Sequence, residues 1–216
     1  MFERFFALHP ARYATPSMTR LLKKNLSDLP VISVLLLILS GAVGSSAQEV
    51  AVPVQAQFPL FMKILTFDRN LKKRSKKEIV IGIVYQKKFR ASLTVAEELE
   101  AAVAGSSVRS VAGIPVRCVP IDVGDADDLM EEVSRNGVNT LYVAPLRALS
   151  VKTVATVSRA KQIVTLTGVT EYVASGLSVG IGEKEGRPQI LIGLSSAKAE
   201  GADFSSQLLK LARVFP

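Results

Sequence analysis

The chain has 216 residues, of which 48% are hydrophobic and 21% are charged, and its formal net charge is +8. One cysteine and one histidine permit no intramolecular disulfide and cannot supply the ligands of a usual zinc site. The charge does not favour nucleic-acid binding, because the basic excess lies mainly in one short run without interleaved aromatic residues.

The first predicted element is an export signal. Residues 18–24 (MTRLLKK) are basic, residues 29–43 are apolar, and residues 45–47 (SSA) are small. This order is typical of a cleavable signal peptide, and we predict cleavage after Ala47. The alternative is an uncleaved membrane anchor, although the apolar stretch is shorter than the roughly 20 residues that span a bilayer.

Removal of the signal would leave residues 48–216, a suitable length for one domain. Met18 would be an ordinary start for such a signal, so translation is expected to begin either there or at Met1. No cysteine lies at the cleavage point, which excludes a lipid-modified N terminus. We therefore expect a soluble periplasmic domain, with an N-terminally anchored protein as the alternative.

The domain is predicted to open with a helix and a buried strand. Apolar residues recur at helical spacing from Phe58 to about Phe67, and the lysine-rich run 72–77 is expected to end this helix. Residues 78–85 form a nearly continuous β-branched run. Such a run favours a central strand covered by helices on both faces.

Strand and helix signals then alternate. Thr94 and Glu97 fit a capping box, which predicts the start of the second helix. Later helices are predicted to be capped by Asp125 and Ser150. The intervening strands are predicted at 116–121, 141–144 and 163–167.

The end of the chain has a different pattern. Apolar residues alternate with small or polar ones in 177–181 and 190–194, which predicts a β-hairpin. Asp203 or Ser205 is expected to cap a last helix with one apolar face. That face would comprise Phe204, Leu208, Leu211 and Phe215. The whole pattern predicts a single α/β domain: a mixed, mainly parallel sheet flanked by helices, ending in a β-hairpin and a C-terminal helix.

No catalytic or metal-binding motif is apparent. The single histidine, His9, precedes the predicted cleavage site, so the domain cannot contain a Ser-His-Asp or Cys-His triad. Cys118 is expected to be a small buried hydrophobe. The acidic residues of 122–132 are interpreted as helix-capping groups, because they lack calcium-loop spacing. We predict no enzyme activity, cofactor or metal; a hydrolase that uses paired carboxylates is the less favoured alternative.

Candidate binding residues follow from the predicted sheet. Open α/β sheets bind ligands at the carboxyl ends of their strands, so the loops after Tyr85, Pro145 and Thr167 are expected to line a pocket. The polar candidates there, for a ligand or a partner, are Lys87, Lys88, Arg147 and Glu171.

The basic run is a second candidate surface. It suits anionic lipid headgroups or an acidic partner, and a solvated loop is the plainer interpretation. Its members are Lys72, Lys73, Arg74, Lys76 and Lys77.

The C-terminal third resembles a known family. Residues 163–171 (IVTLTGVTE), 176–181 (GLSVGI) and the tail 205–212 (SSQLLKLA) are similar to YfiR/HmsC-like periplasmic proteins. Gly193 stands where that family often has Asn, and the Trp-Pro end of the first helix and the paired cysteines are absent. A divergent member is implied.

The resemblance implies a function through protein contact. Members look like periplasmic dimers that restrain an inner-membrane diguanylate cyclase. We therefore expect a periplasmic regulator or sensor whose partner is an inner-membrane signalling protein, either a diguanylate cyclase or a histidine kinase. The resemblance also implies a homodimer as an expected partner state of this chain. A periplasmic small-ligand-binding protein is the alternative.

Overall fold

The computed structural model describes residues 50–124 and 126–216, without the side chains of residues 126 and 127. The predicted signal segment and the predicted cap at Asp125 lie outside the described residues. None of the described helices is both long enough and apolar enough to cross a membrane.

Helices and strands alternate through the described residues. The helices are α1 (Val54–Leu65), α2 (Leu71–Ser75), α3 (Arg90–Gly105), α4 (Ala126–Arg135), α5 (Val151–Lys161), α6 (Thr170–Ala174), α7 (Leu194–Ala199) and α8 (Ser206–Leu211). The strands are β1 (Ile79–Tyr85), β2 (Ser110–Val111), β3 (Ile114–Asp122), β4 (Thr140–Val143), β5 (Val164–Thr167), β6 (Val179–Lys184), β7 (Arg187–Gly193) and β8 (Arg213–Phe215).

The strands form one sheet in the order β2-β3-β1-β4-β5-β6-β7-β8. Strand β1 is parallel to both β3 and β4, and β4, β5 and β6 continue the parallel part. The pairs β2–β3 and β6–β7 are antiparallel. The predicted mixed, mainly parallel α/β domain with its hairpin is therefore confirmed.

Two hydrophobic cores lie on the two faces of the sheet. On one face Phe61 of α1 meets Tyr142 of β4 edge to face, with ring centroids 5.9 Å apart. On the other face Leu129 of α4 and Val154 of α5 are fully buried. Residues of β1 alternate between the two cores, which explains why its sequence is apolar at nearly every position.

The N-terminal helices differ from the predictions in their bounds. Helix α1 begins at Val54 instead of Phe58, and the lysine-rich run forms a short helix, α2, instead of a loop. Helix α3 begins at Arg90, so the predicted capping box at Thr94 is wrong. The Ser92 hydroxyl, in the first turn of α3, accepts the Gln86 amide at 2.9 Å, which joins this turn to the end of β1.

The C-terminal helix is shorter than predicted. Ser205 caps it by accepting the Leu208 amide, but the helix ends at Leu211 and the chain continues as β8. Strand β8 pairs with β7, whose edge offers free backbone hydrogen-bonding groups. As a result Leu211 is 68% exposed, and the predicted helical face that reaches Phe215 is wrong.

A buried carboxylate joins several elements. Glu200, directly after α7, is fully buried and accepts hydrogen bonds from the Thr165 amide at 2.8 Å and from the Ser158 hydroxyl at 2.8 Å. The hydroxyls of Thr165 and Ser178 also donate to it. Burial raises the pKa of Glu200 to about 6, against the lowering effect of these hydrogen bonds. The carboxylate thus connects α7 to α5, β5 and the segment before β6.

Candidate functional site

The carboxyl ends of β1, β3 and β4 lie at one edge of the sheet, which we call the carboxyl edge. From β1 the chain crosses to β3 on one side, and from β3 it returns to β4 on the other side of β1. The strand order therefore reverses between β1 and β4. In open α/β sheets this switch point is the preferred position for a ligand.

A cleft of about 520 Å³ lies at this position, and we call it the carboxyl-edge cleft. The loops after β1, β3 and β4 contribute its walls. Its lining residues are Gln86, Lys87, Lys88, Phe89, Asp122, Val123, Gly124, Asp128, Arg147 and Ala148.

Gln86 connects two walls of the cleft. It follows β1 directly and is only 6% exposed. Its side-chain oxygen accepts the Arg147 amide at 2.7 Å and the Ala148 amide at 3.1 Å. This double acceptor fixes the loop after β4 against the loop after β1. Gln86 is not among the binding residues predicted from the sequence, where its one signal is a polar residue at the end of an apolar strand run.

Two further contacts order the cationic side of the cleft. The Arg147 guanidinium lies over the Phe89 ring, 4.8 Å from the centroid, as in a cation–π pair. The Lys87 amide donates to the Asp122 carboxylate at 2.8 Å, which joins the loop after β1 to the end of β3. The geometry of the walls is therefore held by contacts between separate loops.

The cleft offers groups for binding. Lys87, Lys88 and Arg147 are exposed cations, and none of them forms an ion pair with another described residue. Asp122 adds a carboxylate, and the Phe89 ring adds an apolar surface. This combination suits a small polar ligand with an anionic group.

The structure brings three of the four predicted binding residues together. Lys87, Lys88 and Arg147 line the carboxyl-edge cleft, whereas Glu171 lies in the first turn of α6 and does not line it. Helix α6 follows β5, one strand further from the switch point than β4. Its neighbour Tyr172 does reach the loop after β4, where its hydroxyl accepts the Leu146 amide at 2.8 Å.

The predicted basic run divides into two parts. Arg74 turns inward and donates to the Asp68 carboxylate at 2.6 Å, and the exposed fractions of these side chains are 7% and 0%. Arg74 is therefore a structural residue. The other members of the run are exposed: Lys72, Lys73, Lys76 and Lys77.

The described residues contain no group of three or more His, Cys, Asp and Glu side chains placed to hold a metal ion. Cys118 is half-buried on β3 and packs against the core. Burial raises the pKa of its thiol to about 11, which disfavours the reactive thiolate.

The sheet and its two helical layers define an α/β domain that is also found in a solved structure. This is the ABC domain in complex with L-Trp from Streptococcus pneumonia, with a TM-score of 0.52 and 16% identity over 75% of this chain and 61% of that chain. The chain belongs to the YfiR/HmsC-like family, whose model matches residues 59–213. This membership supports a periplasmic regulatory role, and the family is one of regulators rather than known enzymes.

Two other solved structures are less similar. One is a conserved domain protein from Vibrio cholerae, with a TM-score of 0.47 and 16% identity over 75% of this chain and 60% of that chain. The other is the ligand-free, open structure of a substrate binding protein with adhesive properties from Clostridium difficile, with a TM-score of 0.45 and 17% identity over 68% of this chain and 57% of that chain. The chain thus spans about three fifths of the solved chains that it matches. No curated protein matches it.

Proposed function

We propose that this chain is a periplasmic regulator that binds and restrains an inner-membrane signalling protein, by resemblance a diguanylate cyclase. The observation that carries this proposal is the family match over residues 59–213, which extends from α1 to the start of β8. The candidate site agrees with a binding role, because it combines cations, a carboxylate and an aromatic ring.

A regulator of this kind acts through differential affinity. It shifts its partner between two states only if it binds one state more tightly than the other. No catalytic residue is needed for that. Such a regulator therefore requires only a stable domain with a specific contact surface. The domain must lie on the side of the membrane where the partner exposes its sensory part.

The test is the cellular level of cyclic di-GMP in the native host. Deletion of the gene is expected to raise this level, and the full-length chain is expected to restore it. A matched variant without residues 2–47 should not restore it at equal abundance, because it would stay in the cytoplasm. An unchanged level after deletion, or equal restoration by the variant without the signal, contradicts the proposal.

The second candidate function is the binding of a small ligand at the carboxyl-edge cleft. Its support is the position of the cleft at the switch point between β1 and β4, with walls joined by Gln86. On this proposal the ligand carries an anionic group that pairs with Arg147.

Thermal-shift measurements on protein purified from the periplasm test this second function. A panel of amino acids, organic acids and nucleotides should contain a class that raises the melting temperature. Arg147→Gln is expected to abolish the increase, and Arg187→Gln, on the exposed hairpin, to keep it. The idea fails if no class in the panel shifts the wild-type protein.

A further inference from the structure

A second, larger cleft lies at the opposite edge of the sheet, where the parallel strands begin. Its volume is about 1030 Å³, and we call it the amino-edge cleft. Glu78 at the start of β1, Asn139 before β4 and Ile163 before β5 contribute to its wall. It is separate from the carboxyl-edge cleft, and the proposed regulatory function does not use it.

The wall of the amino-edge cleft is strongly cationic. Four exposed lysines line it and form no ion pair with any described residue: Lys73, Lys76, Lys77 and Lys161. The carboxylate of Glu78 also lines it, but it pairs with Arg117 at 3.2 Å. The four lysine charges are therefore not balanced by carboxylates of the wall.

Two residues of the same wall contain buried polar atoms without a hydrogen-bond partner, Arg74 Nε and Ser75 Oγ. The terminal nitrogens of Arg74 are both engaged, one by the Asn139 carbonyl at 3.1 Å and the other by Asp68. The guanidinium is thus fixed while its Nε–H donor stays unused. Ser75 is 3% exposed, and its hydroxyl is the second unused donor. Buried donors are nearly always paired. These two lie just beneath the surface of the wall, so an acceptor bound in the cleft would reach them after a small side-chain shift.

We propose that the amino-edge cleft binds a phosphate ester. Phosphate oxygens are multiply charged acceptors that match a guanidinium donor, a hydroxyl and several lysine charges. The cleft is large enough for a ligand well beyond inorganic phosphate. Two sources share this chemistry, a soluble phosphate ester and the headgroup of an anionic phospholipid.

Binding to two probes tests the proposal and separates the sources. Inorganic pyrophosphate represents the soluble source, and its binding is measured by calorimetry. Phosphatidylglycerol vesicles represent the headgroup, and their binding is measured by co-sedimentation, with pure phosphatidylcholine vesicles as the control. The protein, expressed with its signal segment and purified after export, should bind at least one probe. Binding of pyrophosphate alone indicates a soluble ester as the ligand. Binding of phosphatidylglycerol vesicles, alone or together with pyrophosphate, indicates the membrane. Each of these results supports the proposal. Binding to neither probe overturns it.

Matched variants show whether binding occurs at this cleft. Lys76→Gln with Lys77→Gln is expected to weaken binding by about tenfold or more. The control is Lys184→Gln with Arg187→Gln, which removes two exposed cations of the β6–β7 hairpin, outside the linings of both clefts, and should bind as wild type. Equal losses in both pairs, or no loss in the first, overturn the proposal, because binding would then follow net charge.

Ser75→Ala tests the unused donor without a change in charge. It should weaken binding severalfold while the melting temperature of the free protein stays close to wild type. Wild-type affinity in this variant contradicts a built site in the wall.

Discussion

The backbone amide of Thr165 donates a hydrogen bond to the buried carboxylate of Glu200 at 2.8 Å, so the end of α7 is tied to the middle of the sheet. Ser158 on α5 and Ser178 before β6 donate to the same carboxylate. These donors compensate in part for the removal of a carboxylate from water. Burial still has the larger effect, because the pKa of Glu200 is raised to about 6.

The first prediction is a pH dependence of stability that originates at Glu200. Its pKa is about 6 in the folded protein, against 4.5 for an unburied glutamate. The folded state therefore binds the proton more tightly, and the free energy of unfolding should fall by about 2 kcal/mol as pH rises from 4.5 through 6.

Glu200→Gln removes the titrating group and should abolish this part of the pH dependence. Urea unfolding at several pH values between 4 and 7 measures it for both proteins. Glu183→Gln, at an exposed position on β6, is the control and should keep the wild-type slope. Parallel curves for wild type and Glu200→Gln would show that Glu200 does not titrate in this range.

The second prediction concerns two arginines that each pair with an aspartate. Arg74→Met leaves the Asp68 carboxylate buried without its cation and should cost about 3–5 kcal/mol of unfolding free energy. Arg69→Met breaks the exposed pair with Asp203, at 3.4 Å, and should cost less than about 1 kcal/mol. Chemical denaturation compares the two variants. Similar losses would contradict a structural role for Arg74.

The third prediction concerns the walls of the carboxyl-edge cleft. Gln86→Leu removes the acceptor of the Arg147 and Ala148 amides, with an expected loss of about 1–3 kcal/mol. Hydrogen exchange at these two amides should become faster. Gln207→Leu, at an exposed position on α8, is the control with little expected effect. Unchanged exchange in Gln86→Leu would mean that Gln86 does not hold the loop.

The fourth prediction concerns two glycines in different surroundings. A Cβ at Gly193 would lie 2.5 Å from the Leu177 carbonyl oxygen, so Gly193→Ala should cost about 1–3 kcal/mol. A Cβ at Gly105, at the end of α3, meets nothing within 4 Å. Gly105→Ala should therefore be neutral or stabilising by up to about 1 kcal/mol. Thermal unfolding of both variants checks this order, and equal midpoints would contradict it.

Local patterns predicted much of the fold. The apolar run of β1 and the cap at Ser150 can be predicted from the sequence, because each depends on neighbouring residues. The Ser150 side chain, for example, accepts the amide of Thr153, three residues away, at 3.1 Å. Strand β8 was missed because it depends on the distant edge of β7, which residues 211–215 do not reveal.

The sites were only partly predictable for the same reason. Lys87 and Arg147 were found through the rule for strand ends, since that rule needs only the strand positions. Gln86 was missed because its partners lie 61 and 62 residues away in sequence. The inward turn of Arg74 depends on Asp68 and Asn139. Arg74 is the one arginine among the lysines of the run, but the run alone does not show that its side chain turns inward.

The most direct test of the central claim is capture of the partner in intact cells. The tagged full-length chain is cross-linked in its native host, and proteins recovered from solubilised membranes are quantified against an unrelated exported protein with the same tag. We predict enrichment of an inner-membrane signalling protein, and deletion of that protein should remove the effect of the chain on cyclic di-GMP. The absence of any enriched membrane signalling protein would contradict the claim that this chain regulates by contact.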